Sequence, residues 1–459
     1  MSEPHKTALS GAHQNEENIS EEVVSQDMGR IALSAFVGTA LEWYDFFLFG
    51  TASALIFNHL FFASGDPATA ALASFATFGV GFLARPLGGV LFGQMGDKWG
   101  RRPALILSIV VIGTATGLVG VLPDYFAIGI AAPILLTLLR LLQGIAVGGE
   151  WGGATTLAIE HAPEEKRARY ASLVQVGSPA GTLLSSGAFA LVFMLDDGQV
   201  DSWGWRIPFL AAFPLLGVAL WIRMQVEESP VFRALENEAE SAPKGSLKEL
   251  FTECAPQLLW STLAALLGIG GFFVMNTYVL SYGSSALGLE RQSLVNATVL
   301  AAVFQILILF FLGRLAERIG SSRVIVFGGI LTAIAAWPLW LMIDTGNMAL
   351  VTMAIVLGIC FATIPYSVIG VLLGQMFPAN LRYSGMAISY NVSGAISGLL
   401  PLIATWLNSF YEEQSIVPAI IILIVISLAT ALGGFMGGRH QRRSSPFEWC
   451  FYLSIEHAV

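Results

Sequence analysis

Two carboxylates stand three residues apart inside a long apolar stretch near the start of the chain. The segment ALEWYDFFLFG, from Ala40 to Gly50, places Glu42 and Asp45 within an apolar run over about 31–57. Residues at positions i and i+3 share one face of a helix. An ionisable group in a membrane-spanning helix is costly unless it faces a cavity or a partner. We therefore expect both carboxylates to face the interior of the protein, where a carboxylate can exchange a proton or pair with a cation.

Two arginines and a third carboxylate lie in other apolar stretches at matching depths. Counted at about 1.5 Å per residue, Asp45 and Arg140 both lie near the membrane midplane, whereas Arg85 and Glu150 lie nearer the inner face. These depths predict Asp45 paired with Arg140 for proton coupling, and Glu42 can join either group. They also predict Arg85 paired with Glu150 as a second buried charge pair. The alternative is that one or both pairs are permanent ties between helices.

Polar and amphipathic side chains within the apolar stretches are candidates for contacts with a substrate. They comprise Tyr44, Trp151, Asn276, Tyr278, Tyr366, Tyr390 and Asn391. The asparagines are slightly favoured, because an amide in hydrocarbon needs a hydrogen-bond partner. For the aromatic residues, the alternative is the interfacial belt that Tyr and Trp form near span ends. Arg85 or Arg140 could bind a carboxylate through paired hydrogen bonds.

The composition is that of an integral membrane protein. Of the 459 residues, 55% are hydrophobic and 12% are charged, with a mean hydropathy of +0.69, whereas soluble proteins carry about 25% charged residues. A spanning helix needs about 20 apolar residues. The predicted fold is all-α, with twelve transmembrane helices in two pseudo-symmetric six-helix halves. The spans are predicted near 31–57, 69–93, 103–122, 126–160, 168–195, 204–224, 254–282, 292–313, 324–343, 348–376, 383–410 and 414–437.

The polar segments outside the spans set the predicted domain boundaries and the orientation. We expect a disordered cytoplasmic tail over 1–28, a six-helix bundle over 29–224, a cytoplasmic middle loop over 225–253, a second bundle over 254–437 and a cytoplasmic tail over 438–459. Most of the 23 lysine and arginine residues fall on the side of the tails and the middle loop, and such residues mark the cytoplasmic side. A bacterial plasma membrane protein with both termini inside is therefore expected.

A loop motif repeats at corresponding places in the two halves. GQMGDKWGRR begins at Gly93 between spans two and three, and GRLAERIGSSR begins at Gly313 between spans eight and nine. A charged loop of this kind can pair with helix ends or basic groups across the cytoplasmic face in one state and release them in another. The alternative is a solvated turn that only fixes topology. The predicted gate residues are Gly93, Asp97, Lys98, Gly100, Arg101, Arg102, Glu317 and Arg318.

The first copy of this motif resembles the signature loop of the major facilitator superfamily. ALEWYDFF, ARPLGGVLFG, RLLQGIAVGGEWGG and ESPVF resemble the metabolite:proton symporter family within it, which includes transporters of shikimate, α-ketoglutarate, citrate, proline and betaine. The run GGEWGGATTLAIEHAP, followed by VQVGSPAGTLLSSG, is most similar to the shikimate-type branch. The resemblance implies proton-coupled import of a small metabolite by alternating access, and it associates the RLLQG run with proton transfer.

Other functional classes lack their motifs. The chain contains no HExxH sequence and no GxxxxGK[ST] loop, so neither an enzyme nor a nucleotide-driven pump is expected. Cys254, Cys360 and Cys450 form no CxxC pair, which predicts no disulfide framework and no metal site. The segments outside the spans are short for a membrane sensor. A monomer in the lipid bilayer is expected, with the proton as coupling ion, no other cofactor and no nucleic-acid partner.

The last segment of the chain bears on the substrate. GRHQRRSSPFEWCFYLSIEHAV, from Gly438, has no heptad pattern, whereas the osmosensing proline and betaine members of the family end in a coiled coil. A small organic acid, a carboxylate, is therefore favoured. The alternatives are an exchanger or uniporter of the same fold, or a proline or betaine symporter.

Overall fold

The structure is a bundle of apolar helices. A computed structural model describes residues 36–62, 66–99, 101–148, 167–225, 247–378, 381–411 and 414–443. Within these ranges, eight helical stretches are long and apolar enough to cross a membrane, and two apolar helices, Ile106–Val119 and Ala131–Val147, are shorter. The described part of the chain contains no β-strand. The predicted all-α membrane fold is confirmed.

In the part of the first half that the structure describes, there are six helical units. α1 covers 36–52 and continues through a π-helical turn, Ser53–Phe57, into Asn58–Leu60. The others are α2 (Pro67–Trp99), α3 (Arg101–Val119), α4 (Ala131–Val147, after a short helix Tyr125–Ile128), α5 (Arg167–Gln175 and Gly177–Val192) and α6 (Asp197–Gln199, a π-helical turn Val200–Gly204, Arg206–Leu210 and Ala212–Gln225).

The described residues of the second half form six further units after a short helix, Leu247–Glu253. They are α7 (Ala255–Phe272, a π-helical turn Phe273–Tyr278 and Val279–Ser285), α8 (Arg291–Ile319), α9 (Ser321–Asp344), α10 (Met348–Tyr366 and Ile369–Met376), α11 (Arg382–Gly398 and Leu400–Asn408) and α12 (Val417–Arg443). The first helix of each half therefore carries a π-helical turn, a feature often found at functional sites. The twelve units overlap the twelve predicted spans.

Glycines let α2 and α4 approach until their backbones touch. A Cβ atom at Gly88 would lie 1.8 Å from the Ile145 carbonyl oxygen, and one at Gly144 would lie 1.9 Å from the Gly81 carbonyl oxygen. Small residues at a helix contact allow such close packing. This contact holds Arg85 of α2 and Arg140 of α4 close to the carboxylates of α1.

Candidate functional site

Asp45 lies at the centre of a buried hydrogen-bond network in the first half. Arg140 donates from Nη1 to its Oδ2 at 2.9 Å, and Gln143 donates from Nε2 to its Oδ1 at 2.5 Å. The Thr116 hydroxyl on α3 donates to the same Oδ1 at 2.5 Å. Asp45 is 1% exposed and Arg140 is fully buried. Donors from α3 and α4 thus satisfy this carboxylate of α1 as an anion.

The guanidinium of Arg140 is only partly satisfied by hydrogen bonds. Its Nε and Nη2 atoms have no hydrogen-bond partner among the described residues. Its charge lies over the Phe49 ring, 4.4 Å from the centroid, and 5.3 Å from the centroid of Phe46. Aromatic faces stabilise a buried cation, but the balancing charge comes from Asp45. Neutralising Asp45 therefore removes most of the electrostatic hold on Arg140.

A second buried ion pair joins Glu42 to Arg85. Arg85 donates from Nη2 to Glu42 Oε1, and both side chains are 2% exposed. The Arg85 guanidinium also lies 4.4 Å from the Phe46 ring centroid, so one ring separates the two pairs. The sequence predicts an ion pair between Arg85 and Glu150. Glu150 lies outside the described residues, so that pairing stays a prediction, whereas the contact with Glu42 is observed.

The Glu42–Arg85 pair faces the second half. Tyr366 of α10 and Tyr390 of α11 are each 1% exposed and lie within electrostatic reach of both charges, with their hydroxyl groups close to one another. A Cβ atom on Gly394, one turn beyond Tyr390, would lie 3.2 Å from Arg85 Nη1. The pair therefore lies at the contact between the two halves.

Three side chains of the first half complete this group. The indole ring of Trp43 packs against the Tyr366 ring at a centroid distance of 5.9 Å. Gln175 of α5 donates to the Tyr366 carbonyl oxygen at 3.2 Å, while its Oε1 has no partner among the described residues. Ser178, one turn further on, lies close to the Tyr366 hydroxyl. We call Arg85, Glu42, Trp43, Gln175, Ser178, Tyr366 and Tyr390 the central group.

Unpaired polar atoms also occur where α1 approaches α7. Asn276 in α7 is 1% exposed, and within the described residues neither atom of its amide has a hydrogen-bond partner. The hydroxyls of Thr51 and Thr277 are likewise buried and without partners there, and a Cβ atom on Gly50 would lie 2.9 Å from Thr277 Oγ1. Buried polar atoms without partners are rare in proteins, and a water molecule or a bound solute can satisfy these atoms.

The other candidate substrate residues have different environments. The Tyr44 hydroxyl donates to the Pro208 carbonyl of α6 within the first half. Tyr278 accepts a hydrogen bond from Asn408 Nδ2 at 2.6 Å within the second half. Asn391 donates to the Gly148 carbonyl oxygen at 2.7 Å and so ties the two halves together. Trp151 lies outside the described residues. The structure thus brings Tyr366 and Tyr390 to the central group but not Tyr44 or Tyr278.

Ion pairs join the halves at both ends of the bundle. At the end where α1 stops, Asp201 Oδ1 lies 3.1 Å from His59 Nε2 and 3.4 Å from Arg291 Nη1 of the second half; we call these three residues the Asp201 cluster. At the opposite end, Arg169 of α5 donates to Glu317 of α8 at 2.8 Å, and we call these two the Glu317 pair. Contacts at both ends keep the central group enclosed in this conformation.

The predicted gate motif is only partly described. Glu317 takes part in a cross-half pair, and Arg318 is exposed beside it. Gly100 lies outside the described residues, and so do the side chains of the remaining predicted gate residues, namely Gly93, Asp97, Lys98, Arg101 and Arg102.

The sequence motifs did not predict Arg169, the partner of Glu317. They also missed Gln143, although that residue follows Arg140 at the i+3 spacing that shares a helix face.

A small cavity adjoins the two carboxylates of α1. Its volume is about 20 Å³, and its lining includes Glu42, Asp45, Thr116 and Leu216, all in the first half. A volume of this size accommodates about one water molecule. Asp45 therefore borders a space between α1, α3 and α6 that is separate from the contact between the halves.

Comparison with known proteins assigns the family. The sequence matches the model of the Major Facilitator Superfamily over residues 35–400 and 293–448. The chain belongs to the major facilitator superfamily. It is 39% identical over 412 residues to the shikimate transporter of Escherichia coli (strain K12), covering 88% of this chain and 93% of that one. It is 32% identical over 429 residues to a glycine betaine/proline/ectoine/pipecolic acid transporter of Dickeya dadantii (strain 3937), covering 91% and 85%.

The solved structures agree with the fold. A crystal structure of a D-xylose-proton symporter has a TM-score of 0.67 and 20% identity, covering 87% of this chain and 96% of that one. The partially occluded, inward-open xylose transporter of E. coli has a TM-score of 0.69 and 17% identity, covering 89% and 97%. The curated relatives are transporters, and the family predicted from the motifs is confirmed. The chain is a multi-pass membrane transporter of small metabolites and not an enzyme.

Proposed function

We propose that this chain couples the entry of a proton to the import of a small organic acid. The observation that carries the proposal is the bond between Asp45 and Arg140, which joins α1 to α4 inside the first half. Breaking a buried ion pair by removing one charge costs about 3–5 kcal/mol. Moving a two-state equilibrium from 1:99 to 99:1 takes about 5.5 kcal/mol. Protonation of one carboxylate can therefore change the balance between two conformations by a large part of that amount.

The proton and the substrate use separate contacts in this mechanism. Asp45 borders the small cavity of the first half, from which a water molecule can deliver the proton. Protonated Asp45 no longer holds Arg140, and α1 and α4 are then free to shift relative to one another. The halves can rock about the central group, opening the Asp201 cluster in one state and the Glu317 pair in the other. The positions of basic residues support the Glu317 end as the cytoplasmic one.

Arg85 is the proposed anchor for the substrate carboxylate. Its planar guanidinium can hold a carboxylate through two parallel hydrogen bonds, and its Nε atom has no partner among the described residues. A substrate carboxylate would compete with Glu42 for Arg85, which allows binding without leaving Arg85 unpaired. Gln175, Tyr366 and Tyr390 would bind hydroxyl groups on the ring or chain of the acid. The similarity to the shikimate transporter of E. coli supports a hydroxylated carboxylic acid.

The test is a measurement of proton movement in liposomes that contain the purified protein. Organic acids, amino acids and betaines are added outside weakly buffered vesicles while the external pH is followed. We expect the external pH to rise when one organic acid enters. We expect Asp45→Asn to abolish this rise and concentrative uptake, while exchange of labelled for unlabelled substrate persists.

The control is Asp124→Asn. Asp124 accepts a hydrogen bond from the Ala127 amide at the start of a short helix, where Asn caps equally well. This variant should retain proton movement. Uptake of an acid without proton movement in the unmodified protein would instead favour an exchanger or uniporter, with Asp45–Arg140 as a permanent tie. Proton-coupled uptake of betaine or proline alone would favour a proline or betaine symporter.

A further inference from the structure

A cavity opens between α9 and α12 at the end of the bundle that holds the Glu317 pair. Its volume is about 450 Å³, and it is lined by Ser322, Arg323, Val326, Phe327, Phe435 and Arg439. Its floor is a close helix contact, because the Ser322 hydroxyl donates to the Gly434 carbonyl oxygen at 2.6 Å. The cavity therefore belongs to the second half alone and lies apart from the central group.

Two arginines border this cavity without a carboxylate partner. Arg323 donates from Nη1 to the Ile319 carbonyl oxygen at 3.4 Å, and the Arg439 guanidinium lies 4.5 Å from the Phe435 ring centroid. Within the described ranges, neither arginine forms an ion pair, and both side chains are exposed. Two guanidinium groups beside one cavity present the donors that suit a phosphate group.

The surface leading away from the arginines is apolar and points outward from the bundle. Phe327 is 58% exposed and Phe435 is 48% exposed. Ile330 and Leu432, one turn further from the arginines, are also exposed. Basic pockets at helix ends, next to lipid-facing side chains, bind the head groups of anionic lipids. A free phosphate ion would use only the arginines, whereas a phospholipid uses the apolar surface as well.

We propose that the cavity between α9 and α12 binds the head-group phosphate of an anionic phospholipid, with an acyl chain lying along Phe327 and Phe435. The site adjoins the gate, because Gly320 alone separates α8, which carries Glu317, from the start of α9. A bound lipid would therefore hold the start of α9 at the membrane surface next to the Glu317 pair.

The test is native mass spectrometry of the full-length protein in detergent, titrated with phosphatidylglycerol or with neutral phosphatidylcholine. We expect saturable binding of phosphatidylglycerol only. Arg323→Gln with Arg439→Gln should weaken it by about 25-fold, or about 5-fold for each arginine. The matched control is Arg314→Gln with Arg318→Gln, which removes two exposed arginines from neighbouring α8 and should change the affinity less than about 2-fold.

Four results would overturn the site. Equal weakening by both double variants would mean diffuse attraction to a basic surface. Displacement of the lipid by millimolar inorganic phosphate would mean a site for a free anion. Binding only after removal of residues 444–459 would mean that this aromatic tail occupies the cavity in the intact chain. Retained tight binding in the Arg323/Arg439 variant would exclude these arginines outright.

Discussion

The two halves of the bundle share an architecture but bury different chemistry. The described residues of the first half bury four charged side chains, Glu42, Asp45, Arg85 and Arg140, as two ion pairs. The described residues of the second half bury hydroxyl and amide groups but no Lys, Arg, Asp or Glu. Its buried polar groups include Asn276, Gln305 and Asn391. Both halves nevertheless begin with a helix that carries a π-helical turn.

The difference bears on how the two halves respond to a change of charge. A buried charge is costly unless it is paired, so a proton that neutralises one partner changes the stability of its helix contacts by a large amount. Neutral groups such as amides contribute about 0.5–1.5 kcal/mol per hydrogen bond. We infer that the first half responds to the proton, while the second half supplies neutral contacts to the substrate.

The largest expected effect comes from removing Arg140. Arg140→Gln should lower the free energy of unfolding by about 3–5 kcal/mol, because Asp45 stays buried without its cation. The corresponding change in the second half is Gln305→Leu, at a buried amide whose Nε2 atom has no partner among the described residues. It should cost less than about 1 kcal/mol. Chemical denaturation in detergent measures both.

A double variant separates lost charge from lost packing. Asp45→Asn combined with Arg140→Gln leaves two neutral amides that can hydrogen-bond. It should recover about half or more of the stability lost in Arg140→Gln alone, since the uncompensated charge is gone. Equal destabilisation by Arg140→Gln and Gln305→Leu would remove the distinction between the halves.

The second prediction concerns substrate affinity at the central group. Arg85→Lys keeps the charge but loses the paired donors, and it should weaken binding of the organic acid by about 10- to 100-fold. Glu42→Gln should act in the opposite direction, because it removes the competitor for Arg85, and should slow substrate release. Quenching of Trp43 fluorescence by the acid can report the affinity, with Trp43→Phe identifying the signal. Weaker binding in Glu42→Gln would contradict the competition.

A smaller effect is expected at Asn276. Asn276→Leu preserves the volume and removes an amide that has no protein partner within the described residues. If the amide binds the substrate, affinity should fall by about 3- to 10-fold, with the number of protons per substrate unchanged. A structural role predicts another result, namely unchanged affinity with equal or greater thermal stability. A changed proton-to-substrate ratio in Asn276→Leu would contradict the assignment of the proton response to the first half.

The sequence predicts depth along a helix well but direction around the bundle poorly. Counting residues placed Asp45 and Arg140 at one level, and the structure has them in contact. The same counting could not choose the partner of Arg85. Glu42 lies only about 4.5 Å along the axis from Asp45, and the choice depends on how α1, α2 and α4 are rotated against one another.

Neutral hydrogen-bond partners and contacts between the two halves cannot be predicted from the sequence for another reason. Thr116 is one of many threonines in apolar helices, and only its position opposite Asp45 makes it part of the network. The sequence also does not show where a tyrosine hydroxyl points. Tyr44 donates to the Pro208 carbonyl within its own half, whereas Tyr366 belongs to the central group between the halves. The partners of Asp201 and Glu317 depend on how far the two halves have closed.

The smallest expected effects lie at the two ends, where half-exposed pairs hold the halves together. Asp201→Asn loses the attraction to Arg291, and Glu317→Gln loses that to Arg169. Each should raise opening at its own end by up to about 5-fold, since such pairs contribute about 0–1 kcal/mol. Hydrogen exchange of the full-length protein measures this, over 197–205 for the first variant and 313–325 for the second.

Each of these variants serves as the control for the other. Faster exchange at the altered end, with slower or unchanged exchange at the opposite end, is the result expected of two gates on one rocking bundle. Faster exchange at both ends in either variant would instead indicate general loosening, because a contact that merely stabilises the fold protects both ends together. The proposed division of tasks between the halves would then fail, and the response to the proton would have to be shared between them.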